Sequence, residues 1–278
     1  MTRRTDGAVA VGAGVATTVL VTFVLLPVAA IFLRVTPATL LAQLHSPVAL
    51  DALAVSLRTS LAALAVIVVL GTPAAYVLAG RRSGWANVAA TLLELPLVLP
   101  PAVAGIGLLA AFGRAGLLGG ALKALGLSIP FTAVAVVMAM TFVAMPFYVR
   151  QAMVSFAAVD PALPAAARTL GASGPAVFVH VALPLARPGL AAGAALAWAR
   201  ALGEFGATLM FAGSLQGVTQ SLPLAIYTEL QTDLPTALAM AALLVATSAG
   251  FLVAMKLLLR ERRPDDEPAG ALRLLRSP

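Results

Sequence analysis

Six long apolar segments constrain this chain more than any other feature of its sequence. A membrane-spanning helix needs about 20 consecutive, mostly apolar residues, and segments of roughly that length or longer recur along the whole chain. This pattern predicts an all-α integral membrane protein with six transmembrane helices. We place the six spans at Val9–Leu33, Ala52–Ala79, Val88–Phe112, Phe131–Val149, Pro188–Phe211 and Pro235–Leu259.

The composition excludes the main alternatives. Charged residues make up 10% of the chain, whereas a soluble domain carries roughly 25%, so a water-facing surface is ruled out. The net charge of +7 is spread over short clusters between apolar segments, which does not favour a nucleic-acid partner. The first apolar segment is longer than the 7–15 residues of a signal-peptide core, so we expect an uncleaved first helix.

The positively charged residues divide unevenly between alternate loops, which predicts an orientation. Arg34, Arg58, Arg114 and Lys123 fall on one side, and Arg200 falls within a span. The other thirteen fall on the opposite side, which the positive-inside rule makes cytoplasmic, together with both termini. These thirteen are Arg3, Arg4, Arg81, Arg82, Arg150, Arg168, Arg187, Lys256, Arg260, Arg262, Arg263, Arg273 and Arg276.

The loop between spans four and five, residues 159–189, contains signals for two short helices. Asp160 and Pro161 form an N-cap and first-turn pair. The residues that follow are mostly good helix formers, and Gly171 is placed to end this helix in a left-handed conformation. The first helix would expose small residues, which allow another protein to approach closely.

The second half of the same loop predicts another capped helix. Ser173 can cap it, with Pro175 in its first turn. We expect Leu183 and Pro184 to stop this helix, and Pro188 to begin the next span. From these signals alone, an ordinary connection between two spans explains the loop as well as a docking surface does.

The spacing of residues in this loop resembles the EAA loop of bacterial ABC-importer permeases. That motif runs E-A-A, three residues, G, nine residues and I-x-L-P, and the chain matches its spacing throughout. Ala165 replaces the acidic residue and Val181 replaces isoleucine. The resemblance implies a coupling helix that docks on a cytoplasmic ATPase. The residues it assigns to ATPase coupling are Ala165, Ala166, Ala167, Arg168, Gly171, Ala172, Leu183 and Pro184.

Prolines interrupt the third span within LELPLVLPPAVAGIGLL, where Pro100 and Pro101 follow Pro96. Proline removes a backbone donor and clashes with the preceding turn, which lipid tolerates only where the freed groups are satisfied. Transporters use such broken helices to build substrate paths. We therefore assign Pro100 and Pro101 to the translocation path or gate, with a simple kink at the end of the span as the alternative.

A charged pair lies within the fifth span, in the stretch ARALGEFGATL. Arg200 and Glu204 are four residues apart, so in a continuous helix they would share one face and form an ion pair. Gly203, Gly206 and Thr208 make a small-residue face suited to close packing. We assign all five to the path or gate. A purely structural pair is the alternative, since a carboxylate repels an anion.

Three stretches, LPLVLPP, AARTLGAS and ARALGEFGAT, together resemble the permease subunit of molybdate/tungstate importers. The resemblance covers about Asp51 to Arg260. It implies a type I ABC-importer permease fold in the bacterial inner membrane, surrounded by lipid. It also implies a homodimer with two cytoplasmic ABC ATPase subunits and an external oxyanion-binding protein. Residues 1–50 would add an extra transmembrane helix, 51–260 form the permease core and 261–278 a cytoplasmic tail.

Two other functions remain open at this point. A sulfate or thiosulfate permease would place similar demands on the chain, and an ion-coupled secondary transporter could use Glu204 as a proton carrier. The chain has no G-x-x-x-x-G-K-[ST] motif and no convincing nucleophile–base pair, so we expect no enzyme activity. We expect no cofactor and no metal site, because His45 and His180 fall on opposite sides of the membrane in this topology.

Overall fold

The computed structural model describes residues 2–80 and 83–260, and these residues form helices and connecting turns without strands. In the first half of the chain the helices are α1 (Thr2–Arg34), α2 (Pro37–Gln43), α3 (Pro47–Ala79), α4 (Gly84–Val98), α5 (Pro101–Phe112) and α6 (Gly119–Ala124). In the second half they are α7 (Ala133–Ala157), α8 (Ala162–Thr169), α9 (Gly174–Val177), a π-helix (Phe178–Ala182), α10 (Leu183–Leu202), α11 (Gly206–Ala212), α12 (Leu222–Leu230) and α13 (Leu234–Arg260).

The long apolar helices confirm the predicted all-α membrane fold. Five helical segments in the described part of the chain are long and apolar enough to cross a membrane, and α4 with α5 makes a sixth when this broken pair counts as one span. The five are Gly12–Arg34, Pro47–Ala79, Ala133–Ala157, Gly174–Leu202 and Leu234–Met255. The apolar part of α1 has no buried residue in this single chain.

Two of the expected spans are broken, and only one break follows from proline. The break between α4 and α5 falls at Leu99 and Pro100, where Leu99 has an extended backbone, with φ −74° and ψ 131°. The uninterrupted span Pro188–Phe211 is a wrong prediction, because α10 ends at Leu202 and α11 begins at Gly206. No proline marks this second break, so the apolar composition of the stretch concealed it.

The connection between α7 and α10 matches most of the local signals. The carboxylate of Asp160 accepts the backbone N–H of Ala162 at 2.9 Å, at the start of α8. Gly171 has φ +87°, and the hydroxyl of Ser173 accepts the N–H of Ala176 at 3.4 Å to cap α9. The left-handed glycine corner between two capped helices is therefore confirmed.

The end of this connection was wrongly predicted. Leu183 and Pro184 do not stop a helix, because the π-helix leads directly into α10, which begins at Leu183. Pro184 is the second residue of α10 and is preceded by the π-helix, so the proline is accommodated within one continuous helical segment. Pro188 lies inside α10 instead of beginning it.

The described chain divides into two compact units. The first comprises the residues up to Ser60 together with Pro101–Met140 and Leu202–Thr247. Its core includes a small-residue cluster in which Ala49 and Ala52 of α3 pack with residues of α12 and α13. The hydroxyl of Ser56 accepts the backbone N–H of Leu222 at 2.7 Å, which satisfies an otherwise unpaired donor at the start of α12.

The second unit comprises Leu61–Pro100, Thr141–Ala201 and the residues from Ser248. The ring of Tyr148, which lies on α7, is buried within this unit. A Cβ at Gly71 would lie 2.9 Å from the Cδ1 atom of this ring, and Gly193 is also in close contact with it. The Tyr148 hydroxyl lies 2.6 Å from the hydroxyl of Thr72. Glycines thus let α3 and α10 approach the ring closely enough to bury its polar end with a partner.

The predicted division into residues 1–50, 51–260 and 261–278 stays a prediction, and its last segment lies outside the described residues. The charge-based orientation rests partly on Arg81, Arg82 and the arginines after position 260, which are also outside them.

Candidate functional site

Two of the predicted path residues, Pro101 and Gly206, meet at the contact between α5 and α11, in the first unit. A Cβ at Gly105 would lie 2.6 Å from the carbonyl oxygen of Ala207 and 2.8 Å from its Cα. A Cβ at Gly206 would lie 3.0 Å from the Cβ of Pro101. Because these neighbours are largely backbone atoms, both glycines are needed for the two helices to approach so closely. Pro101 and Gly206 are thus brought together as predicted path residues.

Glu204 lies in the break between α10 and α11 and is 1% exposed. Its carboxylate accepts the backbone N–H of Ala207 at 2.8 Å, one of the donors that the first turn of α11 leaves without an intrahelical partner. A negative charge is also favourable at a helix N-terminus. This contact places a buried acid where it fixes the start of α11. The next residue, Phe205, has its ring 5.1 Å from the ring of Tyr227.

Thr208, the third residue of α11, is fully buried. Its hydroxyl has no hydrogen-bond partner among the described residues. An unpaired buried hydroxyl costs roughly 1–3 kcal/mol on protein scales. Such a group is a candidate to be satisfied by water or by another molecule at α11.

The remaining predicted path residues are differently placed. Pro100 and Gly203 are exposed, and Arg200 is half-buried on α10 in the second unit. Since α10 ends at Leu202, Glu204 does not continue the helix of Arg200, so the four-residue spacing does not put the two side chains on one helix face. The Arg200–Glu204 ion pair itself stays a prediction.

The residues assigned to ATPase coupling surround a second candidate site, in the second unit. Ala165, Ala166 and Arg168 on α8 are exposed. Three backbone bonds close this helix. The N–H of Leu170 donates to the carbonyl of Ala166 at 3.1 Å, that of Gly171 to Arg168 at 2.9 Å and that of Ala172 to Ala167 at 3.0 Å. The small side chains therefore lie on a fixed, solvent-facing helix.

An aromatic cluster lies close to this helix, in the same unit. The ring of Tyr76 lies 5.3 Å from that of Phe156 and 4.8 Å from that of Phe178, within the range of favourable aromatic contacts. Tyr76 and Phe156 also line a cavity of about 520 Å³ whose wall includes Pro164 and Arg168 of α8. The aromatic rings and α8 therefore line the same cavity.

Sequence reasoning missed Gly105 and Tyr148. Gly105 lies in a segment where nearly every residue is small or apolar, so no pattern distinguishes it from Gly107, whose Cβ position is open. Gly189 and Gly193 carried a usable signal, since G-x-x-x-G spacing marks close helix contacts. Both face α7, against Ser155 and Gln151 respectively.

The described residues contain no group of three or more His, Asp or Glu side chains that could hold a metal ion.

Comparison with known proteins gives a direct indication of function. The family described as the inner membrane component of binding-protein-dependent transport systems matches residues 67–263, which is more than half of the chain.

Several relatives are similar over most of their length. The chain is 45% identical to the "Molybdenum transport system permease protein ModB" of Mycobacterium bovis, over 82% of this chain and 87% of that protein. It is 40% identical to the "Probable molybdenum ABC transporter permease protein HVO_B0370" of Haloferax volcanii, over 84% and 85% respectively. It is 39% identical to the "Probable transport system permease protein NifC" of Clostridium pasteurianum, over 74% and 72%.

Two solved structures share the fold. A bacterial ABC transporter involved in the import of the acidic polysaccharide alginate aligns with a TM-score of 0.68 at 14% identity, covering 94% of this chain and 98% of that one. An inward-facing structure of the MetNI methionine ABC transporter aligns with a TM-score of 0.57 at 18% identity, covering 77% and 94%. At such identities the likeness establishes the fold alone, which is that of type I ABC-importer permeases.

Proposed function

The chain belongs to the family of inner membrane components of binding-protein-dependent transport systems, and from this premise we propose that it is the membrane-spanning permease of a molybdate importer. It is a multi-pass inner membrane protein and a transport permease, not an enzyme. The observation that carries the substrate is the 45% identity, over 82% of the chain, to a permease named for molybdenum transport. Tungstate is a second expected substrate, because it is a tetrahedral dianion of similar size.

The partners follow from the same premise. We propose a homodimer of this chain with two cytoplasmic ABC ATPase subunits and an external oxyanion-binding protein. The chain has no phosphate-binding G-x-x-x-x-G-K-[ST] loop of its own, so ATP hydrolysis falls to the ATPase. The excess of Arg and Lys on one set of loops supports a cytoplasmic location for both termini and for α8.

We propose that α8 docks on the ATPase. Its exposed alanines offer a surface without long side chains, and Arg168 adds one exposed positive charge. Gly171 and the Ser173 cap hold the corner after it, and α9 continues through the π-helix into α10. The helical path from α9 into this membrane span is continuous, and the short Gly171 corner joins α8 to it, which supports rigid-body movement as the response to ATP binding.

We propose that the α5–α11 contact forms part of the gate, with Glu204 as a positioning residue. Its carboxylate fixes the start of α11 through Ala207, and no long side chain separates α11 from α5. A helix held by a few close contacts suits switching between two packed arrangements, since packed contacts are bistable and do not deform continuously. A buried carboxylate repels a dianion, which argues against Glu204 as a direct ligand.

Reconstituted uptake tests the proposed function. Proteoliposomes would contain this chain, its ATPase and its binding protein, with ATP inside and labelled molybdate outside. We expect ATP-dependent uptake that excess tungstate suppresses and sulfate does not. Uptake of labelled sulfate in place of molybdate would keep the ABC architecture and refute the proposed substrate. Uptake driven by an ion gradient without ATP would refute the ABC mechanism.

A further inference from the structure

The connection between α5 and α7 carries a cavity whose lining is separate from both candidate sites described above. It has a volume of about 360 Å³ and lies entirely within the first unit. Leu122 and Leu127 contribute to its apolar wall, and Arg114 and Lys123 contribute two positive charges. A cavity that combines an apolar wall with two cations fits an amphiphilic anion better than a free, fully hydrated one.

The backbone around this cavity is fixed. A Cβ at Gly119 would overlap the carbonyl oxygens of Gly113 and Arg114. The start of α6 therefore lies directly against the backbone at Arg114. The N–H of Leu127 donates to the carbonyl of Leu122 at 2.9 Å and closes the other end of α6. The two cations are thus held on one preformed wall.

Both cations remain available to a ligand. Both side chains are exposed, and neither makes a hydrogen bond or ion pair with another described residue. The connection, residues 113–132, contains no Asp or Glu that could neutralise them locally. The cavity therefore has a net charge complementary to an anion.

The surroundings of the cavity indicate where that anion comes from. The connection joins the ends of two spans, α5 and α7, so it lies at a boundary between membrane and water. Leu117 is 91% exposed, and Leu125 and Phe131 are exposed as well. Large apolar side chains exposed beside a span end are typical of residues immersed in the interface of a bilayer.

We propose that this cavity, the interfacial pocket lined by Arg114 and Lys123, binds the phosphate of an anionic phospholipid while its acyl chain contacts the exposed leucines. Two basic residues near a bilayer surface together raise the affinity for anionic lipid by roughly 10- to 30-fold. The proposal concerns the lipid around the permease and does not depend on which anion the permease transports.

Native mass spectrometry of the full chain, released from bilayer discs, tests this. The discs would contain phosphatidylglycerol and phosphatidylcholine in equal amounts. We expect wild type to retain phosphatidylglycerol preferentially, and the double variant Arg114→Gln/Lys123→Gln to lose that preference by about tenfold. The control, Arg34→Gln/Arg58→Gln, removes two exposed positive charges outside the pocket and should retain it. Equal retention by both double variants would overturn the proposal.

Two further measurements distinguish lipid binding from a folding defect and from binding of a free anion. Arg114→Lys keeps the charge and should keep the lipid, which distinguishes binding from a folding defect. Protection of wild type against heat by inorganic phosphate as strongly as by phosphatidylglycerol would assign the pocket to a free oxyanion and overturn the lipid.

The immersion of the leucines is measured separately. The chain has no cysteine, so Leu117→Cys and Leu170→Cys each allow a single spin label at a leucine that is 91% or 89% exposed. In bilayer discs without ATPase we expect the label at 117 to be more accessible to oxygen than to a water-soluble nickel chelate, and the label at 170 to show the reverse. Access of the nickel chelate to both labels would overturn the lipid assignment. Access to neither label would also overturn it, and would indicate that protein covers position 117.

Discussion

Small residues dominate both the α5–α11 contact and the α8 helix, but they act in opposite ways. At the first, Gly105 is buried against the backbone of Ala207, so space is already filled. At the second, Ala165 and Ala166 are exposed and have nothing over them in this chain. Space is filled within the chain at the first site and is open at the second, so under the proposed docking of α8 we expect mutations to affect folding at the first and association at the second.

The largest effect should come from adding a side-chain atom at the closely packed α5–α11 contact. Gly105→Ala places a Cβ within 3 Å of backbone atoms that cannot rotate away, and we expect a loss of about 1–3 kcal/mol in the free energy of unfolding. Thermal unfolding in detergent, followed by size-exclusion chromatography, measures it. Gly107→Ala is the matched control, because its Cβ position is open and alanine favours a helix. Equal stability of the two variants would show that α5 and α11 are not closely packed at Gly105.

The docking helix should respond in the opposite manner. Gly171→Asp strains a residue at φ +87° by about 1–2 kcal/mol, with no neighbour within 4 Å of the new Cβ. We expect a well-dispersed permease that no longer co-purifies with the ATPase. Gly174→Ala, at an open position with ordinary φ, should keep the association. If ATPase association survives Gly171→Asp, this corner is not required for docking.

An intermediate effect is expected at Glu204. Glu204→Gln keeps an oxygen that can accept the N–H of Ala207 but removes the charge at the start of α11. We expect assembly to persist while molybdate transported per ATP hydrolysed falls several-fold. Glu94→Gln is the control, because this carboxylate makes only an exposed ion pair with Arg150 at 4.0 Å, worth about 0–1 kcal/mol. Unchanged coupling in Glu204→Gln would assign this residue to packing alone.

The smallest effect should come from a hydrogen bond between the membrane helices α3 and α7. Tyr148→Phe removes the hydroxyl that lies 2.6 Å from that of Thr72. Interhelical bonds of this kind contribute about 0.6 kcal/mol on average in membrane proteins, so we expect a small decrease in the temperature of unfolding. Tyr227→Phe, at an exposed ring, should leave it unchanged. A loss above about 2 kcal/mol would mean that the hydroxyl supports more than one contact.

Local signals explain what the sequence predicted well. Asp160, Gly171 and Ser173 each act on backbone groups within a few residues, so their effects do not depend on the rest of the fold. The number of spans follows from the length of the apolar segments, and the break before Pro101 follows from the missing N–H of proline. These features are properties of short stretches of chain.

The break at Gly203–Phe205 and the choice of Gly105 as the contact residue were decided by tertiary structure. Leaving a helix frees backbone groups, and in a membrane these are tolerated only where a partner satisfies them, as Glu204 does for Ala207. The sequence determined that the chain crosses the membrane and that two short helices with a glycine corner lie between spans four and five. Which faces of its spans touch was left to packing, because spans that are apolar on every side carry no periodic signal of the side that faces a neighbour.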